Sequence, residues 1–145
     1  MNPPAPETGL VIRYAYLWRD EALQGHEEGV KDRPCAVVLA VKRNGDGTTV
    51  LVAPITHTPP DPDNNAIEMP LQTAKRLGLD DQRCWIITHE LNSFLWPGPD
   101  LRLVERRDPA KGFAFGFLPG ALSKKLVEAV RNHVRRGRLQ RTGRQ

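Results

Sequence analysis

The chain has little with which to staple itself or hold a metal. Its 145 residues include two cysteines and four histidines. Cys35 and Cys84 each sit in an apolar run, "RPCAVVLA" and "RCWIIT", the setting of buried thiols and not of a disulfide framework. CxxC and HxxxH spacings are absent, so no pair of ligands is pre-spaced for one ion, and we assign no metal and no cofactor. No apolar stretch approaches the roughly 18 residues of a membrane span. The opening "MNPPAPETG" has neither the basic start nor the apolar stretch of a secretory signal. Residues 1–8 read as a flexible, proline-rich leader, and we expect a cytoplasmic protein without a membrane partner.

What is present suits one domain with a core of its own. The apolar share is 39%, too high for wholesale disorder. Charge is unevenly spread. From Glu105 onward there are 11 Lys/Arg against 3 Asp/Glu; before it there are 10 against 14. A basic final third on a mildly acidic body points to an anionic partner such as nucleic acid or an acidic protein. The same pattern also describes a solvated helix face followed by a loose basic tail.

The elements are short strands, then a helix. "LVIRYAYLW" (10–18) is a strand rich in aromatic and branched residues. Residues 19–33 carry two glycines and mixed charge without a period, and read as a loop. "PCAVVLAVKR" and "TTVLVAPIT" flank "NGDG", the composition of a tight hairpin turn, and their continuous apolar character implies burial on both faces. "AIEMPL" is a short strand and "QTAKRLGL" a short helix closed by Gly78. "RCWIITHELNSFLWP" splits into strands around its polar centre, and "GFAFGFLPG" reads as a closing strand. From Pro119 to Arg136, Leu122, Leu126, Val127, Val130 and Val134 fall on one helical face, with Gly137 at the exit. The expected organisation is a flexible leader (1–8), one mainly β domain with a C-terminal helix (9–136) and a basic, mobile tail (137–145).

Polar residues that interrupt this pattern are the candidate site. In a hairpin the start of one strand lies beside the end of the other, so Arg33 and Thr56, 23 residues apart, should be neighbours facing one groove. A guanidinium offers a planar fork to two phosphate oxygens, and a threonine adds a neutral donor. Metal-free cleavage of RNA needs such donors, a base for the 2′-OH and an acid for the leaving oxygen. His57, His26, His89 and Glu90 are the candidate proton carriers; each taken alone is also an ordinary surface or satisfied polar residue.

"GLVIRYAYLW … KDRPCAVVLA … VLVAPITHT" resembles the MazF/PemK (Kid) toxins of bacterial type II toxin–antitoxin pairs. The shared features are an opening strand, a Gly/Glu-rich loop, an Arg-Pro entering a strand, and a Pro-x-Thr closing the next; the likeness spans about Gly9 to Val134. It implies a small antiparallel SH3-like β-barrel (CcdB/MazF/PemK-like), a homodimer, that cleaves single-stranded RNA as an mRNA interferase and is inhibited by an antitoxin protein. By position, the Arg-Pro arginine is Arg33 and the Pro-x-Thr threonine is Thr56. We expect catalysis from Arg33, Thr56, His57 and Glu90, and RNA contacts from Lys31, His26, His89 and Asn92. The alternatives are a non-catalytic SH3-like barrel that binds nucleic acid or a protein, and a gyrase-directed toxin. The last depends on an aromatic C-terminal tip, where this chain ends in arginines.

Overall fold

A computed structural model describes residues 5–25, 31–43, 45 and 47–144. Strands β1 (Leu10–Tyr14), β2 (Arg33–Arg43) and β3 (Gly47–Thr56) form its antiparallel heart. The β2–β3 hairpin closes with Arg43 opposite Gly47, and Gly45 and Gly47 take φ of 75° and 84°, the left-handed conformations that the turn demands. The remaining strands are β4 (Ile67–Glu68), β5 (Trp85–Ile86), β6 (Glu90–Trp96), β7 (Ala114–Phe117) and β8 (Gln140–Gly143).

The sheet branches at β3. Its first half, Thr48–Val52, pairs with β6, whereas Ile55 and Thr56 pair with β5, which in turn pairs with β4. β7 adds to the other edge of β1. One strand serving two partners along its length curls the sheet into an antiparallel half-barrel. Alternate residues of the central strands then fall into two cores, so the expected burial on both faces holds through their middle. Val11, Ala36, Ala53 and Ile55 pack with Leu122, Leu126 and Val130, while Ile12, Tyr14, Cys35, Val37, Val50 and Val52 pack with Phe94.

Beyond that point both-sided burial fails. The register slips between Val37 and Leu39, a bulge that turns the rest of β2 outward. Leu39 and Val41 are exposed, and Leu95, across Thr49 from Val41, is exposed beside them.

Three α-helices lie among the described residues: α1 (Arg19–Leu23), α2 (Leu71–Arg76) and α3 (Gly120–Arg135). Within the stretch expected to be loop, α1 forms because Glu90 accepts the Arg19 N–H at 3.1 Å and satisfies one of the free donors at its start. On α3, Leu122, Leu126 and Val130 are buried as expected, but Val134 is 57% exposed and His133 is buried instead, at 4%. At about 100° per residue, Val134 lies roughly 120° around the helix from Leu122, whereas His133 lies only about 20° away.

The tail is the main correction to the expected layout. Gly137, at φ 65°, ends α3, and the Arg138 N–H returns to the His133 carbonyl at 2.8 Å. The chain then runs parallel to β6 as β8, Glu90 opposite Gln140 and Ser93 opposite Gly143. Gln140–Gly143 are thus part of the sheet. Arg144 fastens their end: its guanidinium meets Asp100 at 3.0 Å, the Ala15 carbonyl at 2.8 Å and Asn92 Oδ1 at 3.1 Å, and stands over the Tyr14 ring.

Candidate functional site

A cleft of about 720 Å³ opens where β2 begins and β3 ends. Cys35 pairs with Pro54, and continuing that register sets Arg33 across from Thr56. Both line the cleft, together with Lys31, His57 and His89.

Arg33 is half-buried. Its guanidinium carbon lies 4.9 Å from the centre of the Trp18 ring, an attractive cation–π placement. Its Nε is enclosed and has no hydrogen-bond partner. The adjacent carboxylate does not neutralise it: Asp32 is drawn to Arg13 at 3.8 Å and Arg102 at 3.6 Å. Arg33 and Lys31 therefore face the cleft without a carboxylate partner among the described residues. Thr56 is half-buried, and its Oγ1 accepts the Thr58 N–H at 3.1 Å, which fixes the hydroxyl and the turn behind it. Beneath them the Cys35 thiol is fully buried, and burial pushes its pKa well up; it is a core group, not a nucleophile.

His57, next to Thr56, is exposed and lines the same cleft. Its Nδ1 lies 2.9 Å from the Arg83 carbonyl and its Nε2 lies 2.8 Å from Asp80 Oδ2. Both neighbours are pure acceptors, so the imidazolium form satisfies both contacts at once. His89 sits deeper, 6.2 Å from the His133 ring between centroids. Burial first, and His133 second, lower its pKa, so its ring is neutral at pH 7.

Two expected site residues lie elsewhere. Glu90 and Asn92 do not line the cleft. Asn92 is fully buried and bonds both ways with the Leu17 backbone: its Oδ1 accepts the N–H and its Nδ2 donates to the carbonyl, each at 2.8 Å. Glu90 Oε2 accepts the Tyr16 hydroxyl at 2.9 Å as well as the Arg19 N–H. Burial is the main cause of a raised Glu90 pKa. Both residues hold the segment that follows β1, and that segment carries Trp18 to its place beneath Arg33. His26 lies outside the described residues.

Two cleft groups were missed from sequence. Trp18 stands 15 positions before Arg33, and no local sequence signal links the two. Asp80 lies in the turn after α2, with no local signal linking it to His57.

The chain is a mostly β protein of the small, curled-barrel class with a C-terminal helix. Residues 15–94, more than half of it, match the family described as PemK-like, MazF-like toxin of type II toxin–antitoxin systems, and the chain belongs to that family. No curated protein matches it. No helix among the described residues is long and apolar enough to cross a membrane.

Proposed function

We propose that this toxin is a metal-independent endoribonuclease of single-stranded RNA, working in the cytoplasm as a homodimer and held in check by an antitoxin protein. The observation that carries the reading is Arg33: a cleft arginine across from a threonine, seated on Trp18, its Nε without a partner and its neighbouring carboxylate engaged by other arginines. A phosphate diester is the ligand that such a fork suits. In the step proposed, the substrate 2′-hydroxyl loses its proton to solvent water as its oxygen attacks phosphorus, the 5′-oxygen leaves and is protonated, and the products are a 2′,3′-cyclic phosphate and a 5′-hydroxyl. Arg33 and Thr56 donate to the oxygens that gain charge. His57 protonates the leaving oxygen; its partner Asp80 is half-exposed and can release it. The exposed ledge of Leu39, Val41 and Leu95 supports self-association, and sedimentation at micromolar concentration giving a monomer mass would reject the dimer.

The test is a fluorogenic RNA substrate against its all-DNA counterpart, in EDTA. The expected result is cleavage of RNA alone, leaving cyclic phosphate ends. Equal cutting of DNA would exclude 2′-OH attack. No cutting by folded, antitoxin-free protein would favour a barrel that binds nucleic acid or protein without catalysis.

A further inference from the structure

A second opening, of about 390 Å³, adjoins the cleft. Asn64 and His89 line both, so the two share a wall. Each falls within the roughly 300–1,000 Å³ of clefts that hold small ligands. The far side of the second opening is made by the turn from α3 into β8, with Arg138 and Gln140 on its lining and Asp63 opposite. The wall between the two is built, not loose. His133 Nε2 lies 3.0 Å from the Asn64 carbonyl, and the buried Thr88 hydroxyl lies 3.3 and 3.2 Å from the Asn64 and Asn65 carbonyls.

The shared wall carries a polar group with nothing to bond. His89 Nδ1 is enclosed and unpartnered, on a ring that burial keeps neutral. A neutral, half-buried imidazole suits stacking and hydrogen bonding to a base, not pairing with a phosphate. The charge for a phosphate is supplied further on. Arg138 is exposed at the mouth and in no ion pair among the described residues. Asp63 and Gln140 present an acceptor and an amide, the groups that read base edges. The basic tail, folded back as β8, brings this chemistry to the cleft.

We propose that the cleft continues past His89 into the second opening, which takes the nucleotide adjoining the one at Arg33, with Arg138 on that nucleotide's phosphate. The proposal rests on the RNA-cleaving reading and extends it to a separate subsite. Its test is binding of non-cleavable, 2′-O-methyl RNA pools of random sequence by the full chain, at several salt concentrations. The short pool is the four single nucleotides, which reach Arg33 without an adjoining nucleotide, and the long pool is about eight nucleotides, within the usual span of a single-strand site. Arg138→Ala should weaken the long pool and flatten its log–log salt dependence by about 0.7, one phosphate contact on a single strand, leaving the short pool unchanged. Arg141→Ala, exposed on β8 but outside the opening, should preserve the difference between the pools. An unchanged long pool, or equal weakening of both pools by Arg138→Ala, would overturn the subsite while RNA cleavage by the wild type still upheld the reading beneath it. No binding of either pool by the wild type would overturn both.

Discussion

Replacing Arg144 with alanine should cost this fold more than any exposed arginine, although it is the penultimate residue. Its side chain is 3% exposed and that of Asp100 is 9% exposed. Removing one partner of such a pair leaves the other charge buried and uncompensated, which costs about 3–5 kcal/mol. The Ala15 carbonyl and one bond to Asn92 are lost with it. Domains of this kind hold only about 5–15 kcal/mol in total. With a melting shift of roughly 2–4 °C per kcal/mol, the melting temperature should drop by about 10 °C or more. Calorimetry on wild type, Arg144→Ala, Asp100→Asn and the double variant gives the coupling. The double variant should be more stable than Arg144→Ala, because the orphaned carboxylate is gone. Truncation after Leu139 should be at least as damaging, since it also removes β8. A melting temperature for Arg144→Ala within a degree or two of wild type would refute the argument and return the tail to an ornamental role.

Other outcomes follow from single sites. Arg33→Ala should lose about 10²–10³ in RNA cleavage with the fold intact, and Arg33→Lys should rescue poorly because an ammonium lacks the fork; single-turnover rates decide it. Gly9, at φ 92°, sits against the Ser123 hydroxyl, so Gly9→Ala should destabilise by about 1–3 kcal/mol, with Ser123→Ala recovering the steric part but not the backbone part, read from urea unfolding. Glu90 is raised above its unfolded pKa, so the native state binds more protons and loses stability as pH rises from the ordinary glutamate range through the raised value. Denaturation midpoints should therefore favour Glu90→Gln over wild type increasingly as pH rises through that window; a pH-independent difference would contradict the burial argument.

The hairpin was legible because its signals are local. Turn glycines and two apolar strands set a register, and register alone brought Arg33 and Thr56 to one cleft. The helix face was legible for three turns and then drifted, because a four-residue step overruns 360°. Distance hid the rest. Glu90 and Asn92 look like site residues from sequence, being polar within an apolar run. Their partners Tyr16, Leu17 and Arg19 lie 71 to 75 positions away, and nothing local marks them. The tail failed for the same reason: the Arg144 bond to Ala15 spans 129 positions. Alternation carries the distinction that residue type misses. Thr88, Glu90 and Asn92 point into the structure and are satisfied, whereas His89 between them lines both openings.

That contrast yields a test that separates stability from activity at one residue. The enclosed, unpartnered Nε of Arg33 carries a desolvation cost of about 1–3 kcal/mol. Against it stands the cation–π contact with Trp18, about 0.5–1 kcal/mol at a half-open site. Methionine spans a similar length, packs on the indole and carries no polar hydrogen. Arg33→Met should therefore match or exceed wild-type stability, by about 1 kcal/mol, while losing at least as much cleavage as Arg33→Ala. Urea unfolding and RNA turnover on the same preparation read both quantities. A variant destabilised by more than about 1 kcal/mol would mean that Arg33 is held for the fold. One that is stable and still cleaves would mean that the guanidinium does not meet the phosphate.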